Sequence, residues 1–378
     1  MAKSLKMNTI ALNALVLNDS SGGLGIYLVN MIKHLLNVNR KDILICLEYS
    51  QIKFSGNKVI RLRTSKYAQL RVLHEYFLWN DVIKSNNVSL FHSPISYTPI
   101  GVNVPSLITI HDLGFYHFPE NYTSIRQKFL ERMIRRSAIR AEKIIAISEF
   151  TKQDIIKTLG VSDEKIRVIH EGIDVDKFSK TISESKKLKI FQEYRIDAPY
   201  ILSVGHLEPR KNYVRLIQAY EILKKKYGIS HKLIIVGQEN WKYQNIYNEV
   251  DRLNLRSDVF FTRFIEDDTL VWLYQNADLF VTASTYEGFG FTPLESMAAG
   301  TPVVASKSTS IPEITGDAAQ LFNPYDPDDI AEKMIEVLMD KDLSDSLRKK
   351  GKQNIKRFSW DRCCSETVKL YDEILNDL

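Results

Sequence analysis

The sequence is organised around the motif Glu287-Gly-Phe-Gly-Phe-Thr-Pro-Leu-Glu295, which joins an apolar run to a short helical pattern. The apolar run, residues 278–283, is typical of a buried strand. The helical pattern after Glu295 stops at Gly300 and Pro302, two residues that commonly end helices. Two glutamates with seven residues between them therefore flank a glycine-containing turn from a strand into a helix.

The start of this helix suggests an anion site. Thr292, Pro293 and Glu295 fit the N-cap, N1 and N3 positions of a helix. The N–H groups of such a turn attract anions, and the two glycines of the stretch allow a ligand to approach the backbone closely. A second interpretation stays open, in which Thr292 and Glu295 form a plain capping box and Glu287 is a solvated loop acid.

Length and composition set the class of protein. A chain of 378 residues suits two domains of ordinary size. With 44% apolar and 26% charged residues it is typical of a globular protein, and a net charge of +5 argues against nucleic-acid binding. Cys46, Cys363 and Cys364 are an odd number, with no zinc or disulfide spacing, which favours the reducing cytoplasm.

Strand-length apolar runs alternate with helical patterns along the chain, which predicts α/β domains with parallel sheets. The first run, residues 7–16, contains Asn8 and Asn13 and is interpreted as a strand, not a signal peptide. A loop with Gly22, Gly23 and Gly25 then leads into a helix. Its spacing departs from G-x-G-x-x-G, so by itself it indicates a tight turn.

A pair of cations marks the first strand-to-helix loop of the second half. Arg210 and Lys211 lie between a predicted strand at 200–204 and a helix that runs to about Lys226, with Asn212 suited to the N-cap. Adjacent cations at the carboxyl edge of a parallel sheet indicate a bound anion. The alternative is two solvated surface charges.

One histidine ends a predicted strand in the first half. The run 105–110 leads directly into His111, and ligands bind at the carboxyl ends of strands in such sheets. The alternative is a core histidine paired with Asp112.

A basic helix is predicted over residues 124–143. Its meaning is either an amphipathic surface helix with a solvated basic face or a dock for anionic lipid headgroups. The basic residues are Arg126, Lys128, Arg132, Arg135, Arg136, Arg140 and Lys143.

Taken together, these motifs resemble the retaining, nucleotide-sugar-dependent glycosyltransferases of family 4, also called the group 1 glycosyltransferases. The resemblance covers nearly the whole chain. It implies the GT-B fold, two Rossmann-like parallel-sheet domains facing each other across a cleft. The implied acceptor-binding domain is 1–178 with the C-terminal helix 359–378, and the implied donor-binding domain is 179–358.

The resemblance implies catalytic roles for four residues. Glu287 is expected to contact the hydroxyls of the donor sugar, and His111 the sugar near its anomeric end. Arg210 and Lys211 are expected to bind the donor diphosphate.

Further residues are implied to bind the donor. Glu295 is expected to hold the ribose hydroxyls, and Gly23 to face the diphosphate. Phe264 and Ile265 are expected near the nucleobase. The backbone contacts with sugar and diphosphate are assigned to Phe289, Gly290, Phe291 and Thr292.

The implied reaction is a retaining hexosyl transfer that needs no metal and no cofactor beyond the nucleotide sugar, with GDP or UDP as product. Asp174-Val-Asp176 is accordingly not interpreted as a metal site. The runs 208–212 and 310–315 are most like mannosyltransferases that use GDP-mannose. A UDP-sugar donor, or an epimerase or sugar phosphorylase of similar fold, remains an alternative.

The implied partners are a nucleotide sugar and a saccharide or lipid-linked acceptor in cell-envelope polysaccharide or lipopolysaccharide synthesis. The protein is expected in the cytoplasm, and the basic helix is expected to bind it to the inner face of the cytoplasmic membrane. A non-enzymatic nucleotide-sugar-binding protein is disfavoured because both glutamates and the Arg210–Lys211 pair match the family's catalytic pattern. A nicotinamide dehydrogenase lacks its glycine fingerprint here.

Overall fold

The computed structural model describes residues 8–17, 22–38, 40, 42–48, 54, 59–63, 68–183, 199–263 and 265–378, with 68–74 described through their backbone alone. Contacts between Cα atoms divide the chain into two compact units. Unit 1 is Met1–Gly172 with Trp360–Leu378, and unit 2 is Ile173–Ser359.

The described strands of unit 1 form one sheet. They are β1 Thr9–Ala14, β2 Ile43–Glu48, β3 Val59–Leu62, β4 Val88–Ser93, β5 Ser106–Ile110, β6 Lys143–Ala146 and β7 Ile166–Val168. Their order is β3-β2-β1-β4-β5-β6-β7, and every neighbouring pair is parallel. All five residues of β5 are buried, as expected for a parallel sheet covered on both faces.

Helices lie on both faces of this sheet. Those described are α1 Gly22–Asn37, α2 Ala68–Ser85, α3 Gly114–His117, α4 Ser124–Arg140, α5 Glu149–Leu159 and, at the end of the chain, α14 Trp360–Asp377. Ile10 and Leu12 of β1 pack in one cluster with residues of α1 and α14, whereas Ala11 packs with Trp79 of α2. Successive side chains of a strand point to opposite faces, which explains the two clusters.

Unit 2 has the same construction. Its described strands are β8 Tyr200–Val204, β9 Lys232–Val236, β10 Val259–Phe261, β11 Leu279–Thr282, β12 Val303–Ser306 and β13 Ala319–Phe322. Its described helices are α6 Val175–Ser179, α7 Tyr213–Tyr227, α8 Gln244–Arg252, α9 Asp267–Asn276, α10 Phe291–Ala299, α11 Ile311–Thr315, α12 Pro327–Met339 and α13 Lys341–Asn354. The sheet order is β10-β9-β8-β11-β12-β13, and every neighbouring pair is parallel.

The strand order of unit 2 places its two motif-bearing loops side by side. From β8 the chain moves outward through β9 and β10, and it then returns to the other side of β8 with β11. The order therefore reverses between β8 and β11, and loops at such a switch point form the ligand site of doubly wound sheets. The loop after β8 carries Arg210 and Lys211, and the loop after β11 carries Glu287.

The prediction of two Rossmann-like α/β domains with parallel sheets is confirmed. Three local details differ. The basic helix ends at Arg140, and Lys143 begins β6. Gly23 lies in the first turn of α1, not in a loop before it. Unit 2 begins at Ile173, ahead of the expected boundary at 178, because α6 packs against α9 and α10 of that unit.

The cysteines and the apolar content of the helices are two further features of the described residues. All three cysteines are free, buried thiols, in agreement with the lack of a disulfide pattern. Among the described residues, none of the helices is both long and apolar enough to cross a membrane.

Candidate functional site

The N-cap of α10, in the turn after β11, is a glycine, and the predicted capping box does not form. Gly290 occupies the N-cap position in the left-handed region, with φ 109° and ψ 68°, and α10 starts at Phe291. Thr292 is therefore the second helical residue, not the N-cap. The predicted N-cap, N1 and N3 positions of Thr292, Pro293 and Glu295 are wrong, since only glycine readily adopts the conformation that this turn requires.

The carboxylate of Glu295 has a different partner. Tyr274 of α9 donates its hydroxyl to Glu295 Oε2 at 2.7 Å. Burial raises the pKa of the Glu295 carboxyl, while the Tyr274 hydrogen bond and the nearby Lys177 act in the other direction. Glu295 is thus held by side chains of unit 2 and does not cap α10.

Replacing Gly290 with alanine is expected to destabilise unit 2 by about 1–3 kcal/mol through its backbone conformation. A Cβ atom there would also lie 2.8 Å from Cδ1 of Ile311, so that side chain must shift. Urea unfolding monitored by far-UV circular dichroism measures the loss. Gly228→Ala is the matched control, because Gly228 has φ 63° and open space around it. An equal loss in both variants would contradict the packing argument.

Arg210 and Lys211 lie on a single 3₁₀ turn, Pro209–Lys211, between β8 and α7. Asn212 follows at the N-cap position of α7, but it adopts the left-handed conformation with φ 59°. Its amide donates to the carbonyl of Pro324 at 2.6 Å and accepts from Arg215 at 3.0 Å. Asn212 therefore occupies the predicted N-cap position, but its side chain makes no capping hydrogen bond, because its oxygen accepts from Arg215 instead.

The two loops meet in a compact ion cluster. Arg210 Nη1 donates to Glu287 Oε2 at 2.9 Å, and Lys211 Nζ donates to Glu287 Oε1 at 2.5 Å. The side chains of Arg210, Lys211 and Glu287 are 25%, 12% and 13% exposed. One carboxylate therefore bridges two cations from the neighbouring loop, each through its own oxygen.

The cluster keeps Glu287 ionised. Burial alone raises the pKa of the Glu287 carboxyl, but Lys211 and Arg210 outweigh it and lower this pKa from 4.5 to about 2. A carboxylate with this pKa stays charged across the physiological range and can accept hydrogen bonds from hydroxyl groups.

Glu208 completes the cluster as a second acid. Its Oε1 lies 2.5 Å from Arg210 Nε, and its Oε2 accepts from Asn240 at 2.9 Å. The guanidinium of Arg210 is therefore fixed by one carboxylate from each side. Sequence reasoning did not assign Glu208, although it lies two residues before Arg210 in the quoted motif.

Hydroxyl side chains brace the loop that carries Glu287. Thr309 accepts from the backbone N–H of Glu287 at 3.0 Å. Ser310 donates to the carbonyls of Glu287 and Phe289 at 2.9 and 2.7 Å. The run 310–315 had been quoted only for its likeness to mannosyltransferases, and the structure shows that its first residue supports the Glu287 turn.

Two of the remaining predicted donor-binding residues of unit 2 have buried side chains. Phe289 is buried, with its ring 5.3 Å from Phe291 and 5.6 Å from Phe358. Ile265 is also buried. Phe264 lies outside the described residues, so its predicted place near the nucleobase stays a prediction.

His111 of unit 1 follows β5, and an oxygen atom lies close to each of its ring nitrogens. Its Nε2 lies 3.1 Å from the carbonyl of Pro94, and its Nδ1 lies 3.2 Å from Glu171 Oε1. The ring of Tyr27 contacts the imidazole edge-on, with centroids 5.2 Å apart. Sequence reasoning considered Asp112 as the partner, whereas the ion pair forms with Glu171, sixty residues later in the chain.

A second histidine, His92 of β4, lies behind this group and is neutral. Its Nδ1 is 2.6 Å from the Tyr371 hydroxyl and its Nε2 is 2.9 Å from Thr109 Oγ1. Complete burial and the neighbouring His111 lower the pKa of His92 from 6.5 to about 3. It is a core histidine that ties α14 to the sheet.

The arrangement in unit 2 suits a phosphorylated ligand with hydroxyl groups. Arg210 and Lys211 can bind phosphate oxygens, and Glu287 can accept from hydroxyls. Within the described residues, no group of three or more His, Cys, Asp or Glu side chains is arranged to hold a metal ion.

Comparison with protein families gives two matches that together cover most of the chain. Residues 21–177 match the family described as Glycosyltransferase Family 4. Residues 186–354 match the family described as Glycosyl transferases group 1. The first match lies in unit 1 except for its last five residues, 173–177, and the second lies within unit 2.

Individual proteins agree with these matches. The chain is 30% identical over 283 residues to O-antigen chain mannosyltransferase B of Escherichia coli, covering 75% of this chain and 74% of that protein. Its fold is similar to sucrose-phosphate synthase of Thermosynechococcus elongatus (TM-score 0.77, 21% identity, 98% and 100% covered). It is also similar to Anabaena HepE in complex with UDP and glucose (TM-score 0.73, 19% identity, 97% and 100% covered).

Proposed function

Because the chain belongs to the group 1 glycosyltransferases and has their GT-B fold, we propose that it transfers mannose from GDP-mannose to a saccharide or lipid-linked saccharide. The E. coli relative, named as an O-antigen chain mannosyltransferase, supports this sugar and an acceptor in lipopolysaccharide synthesis. The glycosyltransferase activity follows from the family, whereas donor and acceptor belong to the proposal.

The single observation that carries the proposal is the cluster of Glu287, Arg210 and Lys211. Transfer breaks the bond between the anomeric carbon and the diphosphate, so negative charge grows on the leaving oxygens. Preorganised cations stabilise such charge most where it develops. Arg210 and Lys211 bind the diphosphate in this proposal, and Glu287 accepts from the sugar hydroxyls.

The remaining donor contacts are proposed residue by residue. Glu295 holds the ribose hydroxyls, and Ile265 lies near the nucleobase. The backbone of residues 289–292 contacts sugar and diphosphate. In unit 1, Gly23 contacts the diphosphate and His111 the sugar.

The proposed reaction retains the configuration of the sugar and uses neither a metal nor a further cofactor. The leaving phosphate takes part in removing the proton of the acceptor hydroxyl on the same face of the sugar. The two cations then supply the positive charge that a metal ion supplies in other transferases.

A UDP-sugar is the second candidate donor. The structure of HepE with UDP and glucose favours it, because that protein has a similar fold over nearly all of its length. The two donors differ in the nucleobase and not in the diphosphate, so the ion cluster fits both.

A nucleotide panel tests the proposal. Thermal unfolding is measured with GDP, UDP, ADP and their sugars, each over a concentration series. A ligand present at a hundred times its dissociation constant stabilises the folded protein by about 2.7 kcal/mol. Stabilisation by GDP and GDP-mannose alone is expected, and release of GDP with an acceptor present then identifies the transfer. Stabilisation by UDP-sugars alone would transfer the assignment to the second candidate, and no stabilisation by any of them would contradict both.

The proposal extends to the membrane surface through α4. Met133, Ile134 and Ala138 bury one face of this helix. Ile125 and Ile139 are 85% and 60% exposed on a helix that is otherwise strongly basic. Exposed aliphatic side chains among cations favour an interface rich in anionic lipid.

Flotation with vesicles tests this extension. Replacing exposed Lys128 and Arg132 with glutamine removes two cations at about 1 kcal/mol each, or about 30-fold in binding. Lys349→Gln with Lys352→Gln removes the same charge from α13 of unit 2 and is expected to bind like the wild type. Equal loss in both double variants, or binding that salt does not weaken, would contradict a specific role of α4.

A further inference from the structure

The imidazole of His111 is surrounded by groups that fix its protonation. A backbone carbonyl can only accept a hydrogen bond, so Nε2, 3.1 Å from the oxygen of Pro94, must carry a proton. Nδ1 lies 3.2 Å from Oε1 of Glu171, whose side chain is 1% exposed. Opposite an ionised carboxylate, which can only accept, Nδ1 has to carry a proton as well.

We propose that Glu171 is an ionised positioning residue of the transfer reaction, which holds His111 as an imidazolium with a proton on each ring nitrogen. His111 then acts as a fixed positive charge and takes no part in proton transfer. The inference rests on the proposed contact of His111 with the donor sugar, and it adds Glu171 and a protonation state to that contact.

The groups that face His111 from each neighbouring element agree with a cationic ring. Tyr27 of α1 is neutral, because burial raises its pKa well above 10. His92 of β4 is neutral as well, because burial lowers its pKa. Asp112 and Glu171 supply negative charge. Cys363 of α14, whose charge would act on Glu171, stays a neutral thiol because burial raises its pKa.

These contributions have opposite signs, and the carboxylates prevail. Burial lowers the pKa of His111, but the hydrogen bond and charge of Glu171, followed by Asp112 and the Pro94 carbonyl, raise it above 6.5. A fixed cation stabilises the negative charge of a leaving group. An imidazolium carries a proton on each ring nitrogen and therefore cannot take up the acceptor's proton.

The protonation state can be measured without any substrate. Nitrogen-15 NMR of histidine-labelled protein is expected to show both ring nitrogens of His111 protonated at pH 7, and the titration midpoint is expected to lie above 6.5. In Glu171→Gln the midpoint falls below 6.5, while Glu171→Asp, which keeps the charge, retains the protonated form. His117, which pairs with Asp154, is the internal control and keeps its signals in both variants. A neutral His111 at pH 7 in the wild type overturns the proposal.

The pH profile of turnover then tests the positioning role. A histidine with a pKa of 6.5 is about 3% protonated at pH 8 and about 90% protonated at pH 5.5. Turnover of Glu171→Gln relative to a wild type that stays protonated is therefore expected to be about 30-fold lower at pH 8 and to recover towards pH 5.5. A constant ratio across this range overturns the role, since a purely structural defect would not recover. If no nucleotide sugar supports transfer by the wild type, the proposed function fails, and the positioning role fails with it even if the NMR result stands.

Discussion

Lys211→Ala is expected to lower kcat/KM about a hundred- to a thousandfold, the usual cost of losing one preorganised charge at a transition state. The Nζ atom of Lys211 lies 2.5 Å from Glu287, and its side chain is only 12% exposed. Water therefore screens this charge little, and alanine leaves nothing in its place. Affinity for the nucleoside diphosphate product is expected to fall as well, because the same cation binds the ground-state phosphate.

The matched control is Lys225→Ala on the helix that follows, α7. Lys225 pairs with Glu221 one turn away and is 72% exposed, so its removal changes the charge equally at a solvated site. Wild-type activity is expected in this variant, and circular dichroism checks that both variants are folded. Near-native turnover of Lys211→Ala would contradict the proposed catalytic role of the ion cluster.

Glu287→Gln is expected to cut turnover by about a hundredfold or more while leaving the affinity for the nucleoside diphosphate undiminished. The glutamine side chain keeps the shape of glutamate, but it has no negative charge and only one oxygen that can accept hydrogen bonds from the sugar hydroxyls. Glu287 also competes with a diphosphate for Arg210 and Lys211, and its neutralisation ends this competition. Isothermal titration with GDP separates the two variants, since Lys211→Ala weakens binding and Glu287→Gln does not.

The same variant changes stability in a pH-dependent way. The pKa of Glu287 is lowered from 4.5 to about 2, and a lowered carboxyl pKa contributes stability that is fully present above 4.5 and is lost as the pH falls towards 2. The difference of about 2.5 between the two pKa values corresponds to about 3 kcal/mol in the free energy of unfolding. Wild type and Glu287→Gln are expected to differ by up to this amount at pH 6, with the difference shrinking below pH 4.5.

Urea unfolding at pH 6, 4.5 and 3.5 measures this difference. Glu336→Gln is the control, because Glu336 forms a partly exposed pair with Lys333 on one helix and contributes only a few tenths of a kcal/mol. A difference between wild type and Glu287→Gln that stays constant over the three pH values would show that the carboxylate is not held by its cations as the structure has it.

The sequence predicted the strands and helices well because their signals are local. A buried parallel strand is a continuous apolar run, and β8 was predicted with the bounds that the structure has, Tyr200–Val204. The positions of Arg210, Lys211 and Glu287 at strand ends follow from the same alternation, since every strand of a doubly wound sheet presents its carboxyl end at one edge.

The helix starts were predicted less well, because capping depends on what else the side chains can reach. Asn212 does occupy the N-cap position of α7, but its side-chain oxygen accepts from Arg215 and caps no backbone N–H group. Thr292 is not the N-cap of α10, because Gly290 occupies that position. Propensity fixes which residues are able to cap, and tertiary contacts decide which of them do so.

The amino-acid pattern was enough to predict two parallel-sheet domains, the family, and the residue types proposed to bind a sugar diphosphate. The sequence did not show which of these residues pair: Glu287 with Arg210 and Lys211, Tyr274 with Glu295, and Glu171 with His111. The physical reason is distance along the chain. The periodicity of a segment predicts which face of its own helix or strand a residue occupies. The partner of a charged side chain depends on which loops the strand order places side by side. No local sequence pattern predicts that order.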